Sequence, residues 1–126
     1  MNSIFAVAVG GAIGSTARYL FGMQMLRLVG PNFPWGTFGV NLIGSLIMGL
    51  MAGAFALKFN ANHEMRSFLM TGILGGFTTF SAFSLDAAVM MERHDYAMAG
   101  LYMFGSVAGA LLCLFIGLWV ARLALA

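Results

Sequence analysis

The chain has 126 residues, of which 61% are hydrophobic and 8% charged, and its net charge is +2. Its mean hydropathy of +0.93 lies far above that of a soluble domain, where roughly a quarter of residues are charged. These values mark an integral membrane protein of one domain and argue against nucleic-acid binding, which requires a clustered basic face.

Four apolar stretches, about 4–26, 35–57, 67–91 and 96–125, are long enough to cross a bilayer, which takes about 20 residues as a helix. The first 17 residues contain no Lys or Arg, so the basic region of a cleavable signal is missing and the first stretch is expected to stay as a span. That span is interrupted by Arg18. Charge inside a span is costly and usually functional. Two readings of Arg18 stand: a positive vestibule that draws in anions, or a side chain that snorkels to the headgroups.

Pro31 and Pro34 mark the turn into the second span, because proline ends one helix before the next begins. The second span is uncharged and carries Asn41, about two turns in, with Thr37 four residues earlier on the same face. An Asn amide can donate to an anion, or it can serve as a structural hydrogen bond between helices.

The third span contains GILGGFTTFSAFS, residues 72–84. Gly72, Gly75 and Gly76 are expected to loosen the backbone. Thr78, Thr79, Ser81 and Ser84 supply hydroxyls, and Phe80 and Phe83 share a face if the chain beyond the glycines is helical. Unwound backbone at membrane depth is tolerated only where it is buried in protein or lines a polar cavity. A glycine-interrupted apolar segment therefore points to an ion or substrate site near the midplane. Ring edges carry positive potential and can meet a small anion, while exposed carbonyls suit a hard cation such as Na+. The bland alternative is that the phenylalanines face lipid or core. Asp86 follows by about a turn; its readings are to neutralise a cation, to cap a helix, or to approach the membrane surface with Glu92, Arg93 and Asp95, and the structural reading is favoured.

The fourth span is uncharged from Ala97 to Ala121 and holds Cys113, the single cysteine, read as a small buried hydrophobe. His63 and His94 fall in charged loops and read as solvated, and Trp35 and Trp119 sit near span ends as interfacial aromatics do. No zinc spacing, redox pair or nucleophile constellation is present, so no enzyme is expected. Each span also has a Gly-xxx-Gly pair: Gly10/Gly14, Gly49/Gly53, Gly72/Gly76 and Gly105/Gly109. Small residues four apart let helices approach closely in lipid, within a subunit or between subunits.

With four spans both termini fall on one side, together with Lys58, Arg66 and Arg122; the other side has Arg18, Arg27 and Arg93. The positive-inside rule needs an asymmetry, and here there is none, so insertion in both orientations is expected; the alternative is that a chaperone or local detail fixes one orientation. Four helices from so short a chain enclose little space. A polar pathway then calls for two or more copies, and oppositely inserted copies would be related by an axis in the membrane plane.

At these residues the sequence resembles the Fluc/CrcB-type bacterial fluoride channels. The resemblance covers essentially the whole chain and rests on GGAIGSTARY, PWGTFGVNLIGS, TGILGGFTTFSAFS and GLYMFGSVAGALL. It implies an all-α fold of four transmembrane helices in one domain over residues 1–126, the third helix broken near its middle, assembled as an antiparallel, dual-topology homodimer. It implies a fluoride pathway at Phe80, Phe83, Asn41 and Tyr102, with hydroxyls from Thr37, Thr79, Ser81, Ser84 and Ser106, and a vestibule at Arg18. It also implies a central structural Na+ on the backbone carbonyls of Gly75 and Thr78. Ala110 stands one turn after Ser106, where some relatives have a second serine, so the hydroxyl track on that helix is shorter. The implied role is passive fluoride export across the bacterial inner (plasma) membrane, with fluoride, membrane lipid and a second copy of the chain as partners.

Two other classes compete. A small proton-coupled multidrug exporter also has four spans, but it needs a carboxylate in its first span, where this chain has Arg18. A non-transporting assembly subunit would use its polar residues only to join helices, and would pass no ion on its own.

Overall fold

A computed structural model of the chain describes residues 2–58 and 60–125. Four helical spans account for almost all of them: Ser3–Val29, Trp35–Leu57, His63–Glu92 and Tyr96–Leu125. The boundaries of the second and fourth match the apolar runs. The first and third extend a few residues past the apolar stretches, the third mainly at its polar-capped start and the first mainly toward Gly30. The Asn2 side chain accepts from the Phe5 amide at 2.9 Å and the Asn62 side chain from the Met65 amide at 2.8 Å, each satisfying an orphan donor of a first turn. The first span ends at Gly30, whose φ of 83° suits a residue without a Cβ. His94 also adopts a left-handed φ of 60° in the tight turn between the third and fourth spans, where its ring meets the Tyr96 hydroxyl at 3.0 Å.

The third span is not one helix. His63–Arg66 is α-helical, Ser67–Leu74 is π-helical, and Gly75–Phe77 returns to α. The chain is then extended at Thr78 (φ −89°, ψ 159°) and Thr79 (φ −154°, ψ 124°), and a new helix runs Phe80–Glu92. Here the structure corrects the sequence reading. The break does not lie on the glycines: Gly72 sits within the π-helical turns and Gly75 is helical (φ −61°, ψ −37°), and the extended residues are the two threonines after them. Thr is β-branched and favours extended backbone, and Thr79 caps the new helix by accepting from the Ala82 amide.

The glycines serve contact instead. A Cβ on Gly10 would lie 2.6 Å from the Phe68 carbonyl oxygen, one on Gly14 would fall on the Ile73 carbonyl, and one on Gly76 would lie 2.7 Å from the Gly11 carbonyl. The first span and segment 63–77 therefore meet backbone to backbone. The second and fourth spans do likewise: a Cβ on Gly49 would strike the Leu114 carbonyl, and one on Gly117 the Leu46 carbonyl. Gly10/Gly14, Gly49/Gly53 and Gly72/Gly76 thus meet neighbours within this chain, whereas Gly105 and Gly109 touch only the Phe38 and Leu42 side chains. Such close approach is what small residues allow in lipid, where no hydrophobic force joins helices.

The helix Phe80–Glu92 leans on the fourth span through a core of Ala87, Met90, Ala99 and Tyr102, with Phe33, Phe38 and Phe83 packed around it. Tyr102 is fully buried. At the far end, the Arg66 guanidinium lies 5.4 Å above the Phe55 ring, a cation–π contact that ties the second span to the start of the third. Large apolar side chains such as Leu111, Phe115 and Leu123 point outward, as expected for helices solvated by lipid.

Candidate functional site

The site is built on the break. Where a helix stops, its last carbonyls lose their amide partners and the next helix begins with unpaired amides. Two side chains from other spans take up some of these groups. Asn41 pairs with Thr79 twice: its Oδ1 accepts from the Thr79 amide at 2.8 Å, and its Nδ2 donates to the Thr79 carbonyl at 3.1 Å. Arg18 donates through Nε to the Gly76 carbonyl at 3.0 Å. The Thr78 hydroxyl donates to the Leu74 carbonyl at 2.9 Å, closing the last turn of the first half.

These bonds divert amides from two carbonyls. In a continuous helix the Thr79 amide would bond to the Gly75 carbonyl and the Ala82 amide to the Thr78 carbonyl. Here the first goes to Asn41 and the second to the Thr79 hydroxyl. The Gly75 and Thr78 carbonyls thus lose their helical donors.

Beside the break lies a cavity of about 290 Å³, open on one side, lined among others by Asn41, Ser45, Thr79, Phe80, Phe83 and Ser106. The Phe80 and Phe83 ring centroids are 5.5 Å apart, with planes inclined by 38°. Phe83 in turn packs against Tyr102 at 5.1 Å with the planes tilted by 40°, and Phe33 meets Tyr102 edge-on at 5.3 Å. The Tyr102 hydroxyl donates to Asp86 Oδ2 at 3.1 Å. Ser106 is 6% exposed, and its hydroxyl has no hydrogen-bond partner. A buried hydroxyl without a partner is costly, so its position on a cavity wall is informative.

A second cleft, of about 440 Å³, is lined by Ser15, Arg18, Tyr19, Gly36, Thr37 and Thr79, among others. Thr79 belongs to both cavities, so the break stands between them. A third, of about 230 Å³, continues past Thr37 to Asp86. Arg18 is thus turned inward onto backbone and cleft. Among the described residues Asp86 caps no helix; it accepts from the buried Tyr102.

Most residues singled out in the sequence converge here. Asn41, Thr79, Phe80, Phe83 and Ser106 share the first cavity with Thr78, and Arg18 and Thr37 share the second with Thr79. Tyr102 supports Phe83 from behind. Ser81 and Ser84 stand apart from all three cavities: Ser81 touches the Thr79 hydroxyl at 3.3 Å, and Ser84 donates to the Phe80 carbonyl at 3.0 Å. Ser15 and Ser45 are lining residues that sequence reasoning passed over. The signal for Ser45 was present, since Thr37, Asn41 and Ser45 follow one another every four residues and share one face of the second span.

Among the described residues there is no cluster of His, Cys, Asp and Glu able to hold a metal ion, so a cation at the break would depend on backbone oxygens. What the fold and site define is a small multi-pass membrane protein whose third span is interrupted beside polar and aromatic cavities. The CrcB-like protein (Camphor Resistance) family matches residues 5–118. The Fluoride-specific ion channel FluC of Agrobacterium fabrum is 50% identical over 122 residues, 97% of this chain and 98% of that protein. Its namesake from Mesorhizobium japonicum is 52% identical over the same shares, and that from a Caulobacter species is 52% identical over 97% of this chain and 96% of the relative. The chain belongs to the CrcB-like family, whose members named here are ion channels and not enzymes.

Proposed function

We propose that this protein is a fluoride-selective passive channel that exports fluoride across the bacterial inner membrane as an antiparallel, dual-topology homodimer. The observation that carries the reading is the buried, unpartnered Ser106 hydroxyl on a cavity wall shared with Asn41, Phe80 and Phe83. A small, strongly hydrated anion entering a bilayer must exchange its water for donors. Hydroxyls at Ser106 and Thr79, the second N–H of Asn41 and the positive edges of two phenyl rings supply them. Relatives sharing half of the sequence bear the name of fluoride-specific channels.

The cavity is open on one side and Phe80 is 76% exposed, so one chain gives an unfinished wall that a second copy would complete. The balanced charge tally supports insertion of the two copies in opposite orientations. Export needs no ATP. Hydrogen fluoride crosses membranes as a neutral acid and ionises in a less acidic cytoplasm, and the membrane potential drives the anion out through a selective leak.

The carbonyls of Gly75 and Thr78, stripped of their helical amides, fit a hard cation, which takes oxygen ligands. Two copies meeting at the break would offer four such oxygens. A Na+ bound there would supply fixed positive charge and hold the broken ends together.

The test is fluoride efflux from liposomes that contain the purified protein, with chloride as control. Fluoride efflux is expected without chloride efflux, and Phe80→Ile and Phe83→Ile are each expected to suppress it. Equal flux of both ions would refute selectivity, and unchanged flux in both variants would remove the rings from the path.

A further inference from the structure

The third span's first half ends at the break, and a helix C-terminus concentrates partial negative charge on carbonyls that lack partners. These carbonyls adjoin Thr78 and Thr79, which line the cavity assigned to the anion. Unless covered, that end of the helix would repel the ion it borders. Arg18 lies against it. Its Nε donates to the Gly76 carbonyl at 3.0 Å, while its side chain lines the cleft that also holds Ser15, Thr37 and Thr79.

The arrangement is rigid by construction. Gly14, one turn before Arg18, has its Cα against the Ile73 carbonyl, and Gly76 has its Cα against the Gly11 carbonyl and the Ser15 amide. The backbones on both sides of the Arg18–Gly76 bond therefore cannot shift apart without opening these contacts. A guanidinium in this position has one N–H spent on a defined backbone oxygen and four left for the cleft.

We propose that Arg18 is a positioning residue that holds the Gly76 carbonyl off the anion path and neutralises the broken end of the helix. This goes beyond a vestibule charge, because it requires a directed bond as well as a cation. Lysine keeps the charge but offers a point donor in place of the planar fork. The proposal rests on the channel reading above, and its test separates the two.

Wild-type protein, Arg18→Lys and Arg18→Gln are compared in lipid by fluoride efflux and by hydrogen–deuterium exchange of the backbone amides of residues 78–82. Both variants are expected to raise exchange in that segment and to slow efflux on the order of tenfold to a hundredfold, the worth of a charge-assisted hydrogen bond. The proposal is overturned if Arg18→Lys conducts within about twofold of wild type while its exchange is unchanged. A measurement without any variant guards against misfolding: the Arg18 Nε–H should be protected from exchange in the folded wild-type protein, and rapid exchange there refutes the bond. If wild-type protein passes no fluoride, the channel reading fails, whereas the exchange data still decide whether Arg18 holds the break.

Discussion

The two sides of the third span are held in opposite ways. Segment 63–77 meets the first span backbone to backbone, with glycines at Gly10, Gly14, Gly72 and Gly76 leaving no room for side chains. The break at Thr78 and Thr79 is held by side chains reaching from a distance, Asn41 from the second span and Arg18 from the first. The first contact is dry, close and tolerant of no added atom. The second is polar, half-buried and bordered by cavities. Tight packing thus fixes where the span is interrupted, and hydrogen bonding shapes what the interruption exposes. A site bordered by cavities is not close-packed, so its rigidity comes from the neighbouring contact.

The largest expected effect comes from breaking the close contact. In Gly14→Val the new Cβ would fall on the Ile73 carbonyl; overpacking in a rigid place costs about 3 kcal/mol or more. Loss of the folded protein in detergent, read by size-exclusion chromatography, is expected. Gly11→Ala is the control on the same helix, since nothing lies within 4 Å of a Cβ there. It should be neutral, or more stable by up to about 1 kcal/mol through helix propensity. Equal behaviour of the two variants would remove the packing argument.

Asn41→Ala attacks the polar side and should do less. It leaves the Thr79 amide and carbonyl without their partner, and each unsatisfied group costs about 1–3 kcal/mol where water is excluded. Thermal unfolding in detergent should show a loss of about 2–4 kcal/mol, since the cavity lets in water that repays part. Fluoride efflux should fall with it. A variant as stable as wild type would mean that the break holds its shape without the clamp.

How much of this was legible in the sequence follows the range of the interactions. The spans were, because an apolar run of membrane length has few alternatives. So was the polar face of Thr37 and Asn41, which depends only on helical spacing. The position of the break was blurred: glycine was read for its flexibility, whereas in lipid its small size matters more, and the β-branched pair Thr78–Thr79 was the better sign. The π-helical turns at Ser67–Leu74 had no local signal. The pairing of Asn41 with Thr79 joins residues 38 apart, and that of Arg18 with Gly76 residues 58 apart; spacing along one helix does not reveal either. Asp86 was visible as an outlier, but its partner Tyr102 lies on another span.

The smallest effect is the sharpest, because its two readouts should move in opposite directions. Ser106→Ala removes the buried hydroxyl that has no partner and leaves the packing of the fourth span unchanged. Deleting an unsatisfied buried polar group should stabilise the protein by about 1 kcal/mol, measured by thermal unfolding. If the hydroxyl is kept because it replaces water on a passing anion, the same change should slow fluoride efflux about fivefold, the equivalent of one neutral hydrogen bond. A gain in stability with undiminished efflux would strip Ser106 of any part in conduction. A loss of stability would show that the hydroxyl is satisfied in the assembled protein, by water or by the second copy, and that the open cavity of the single chain is closed there.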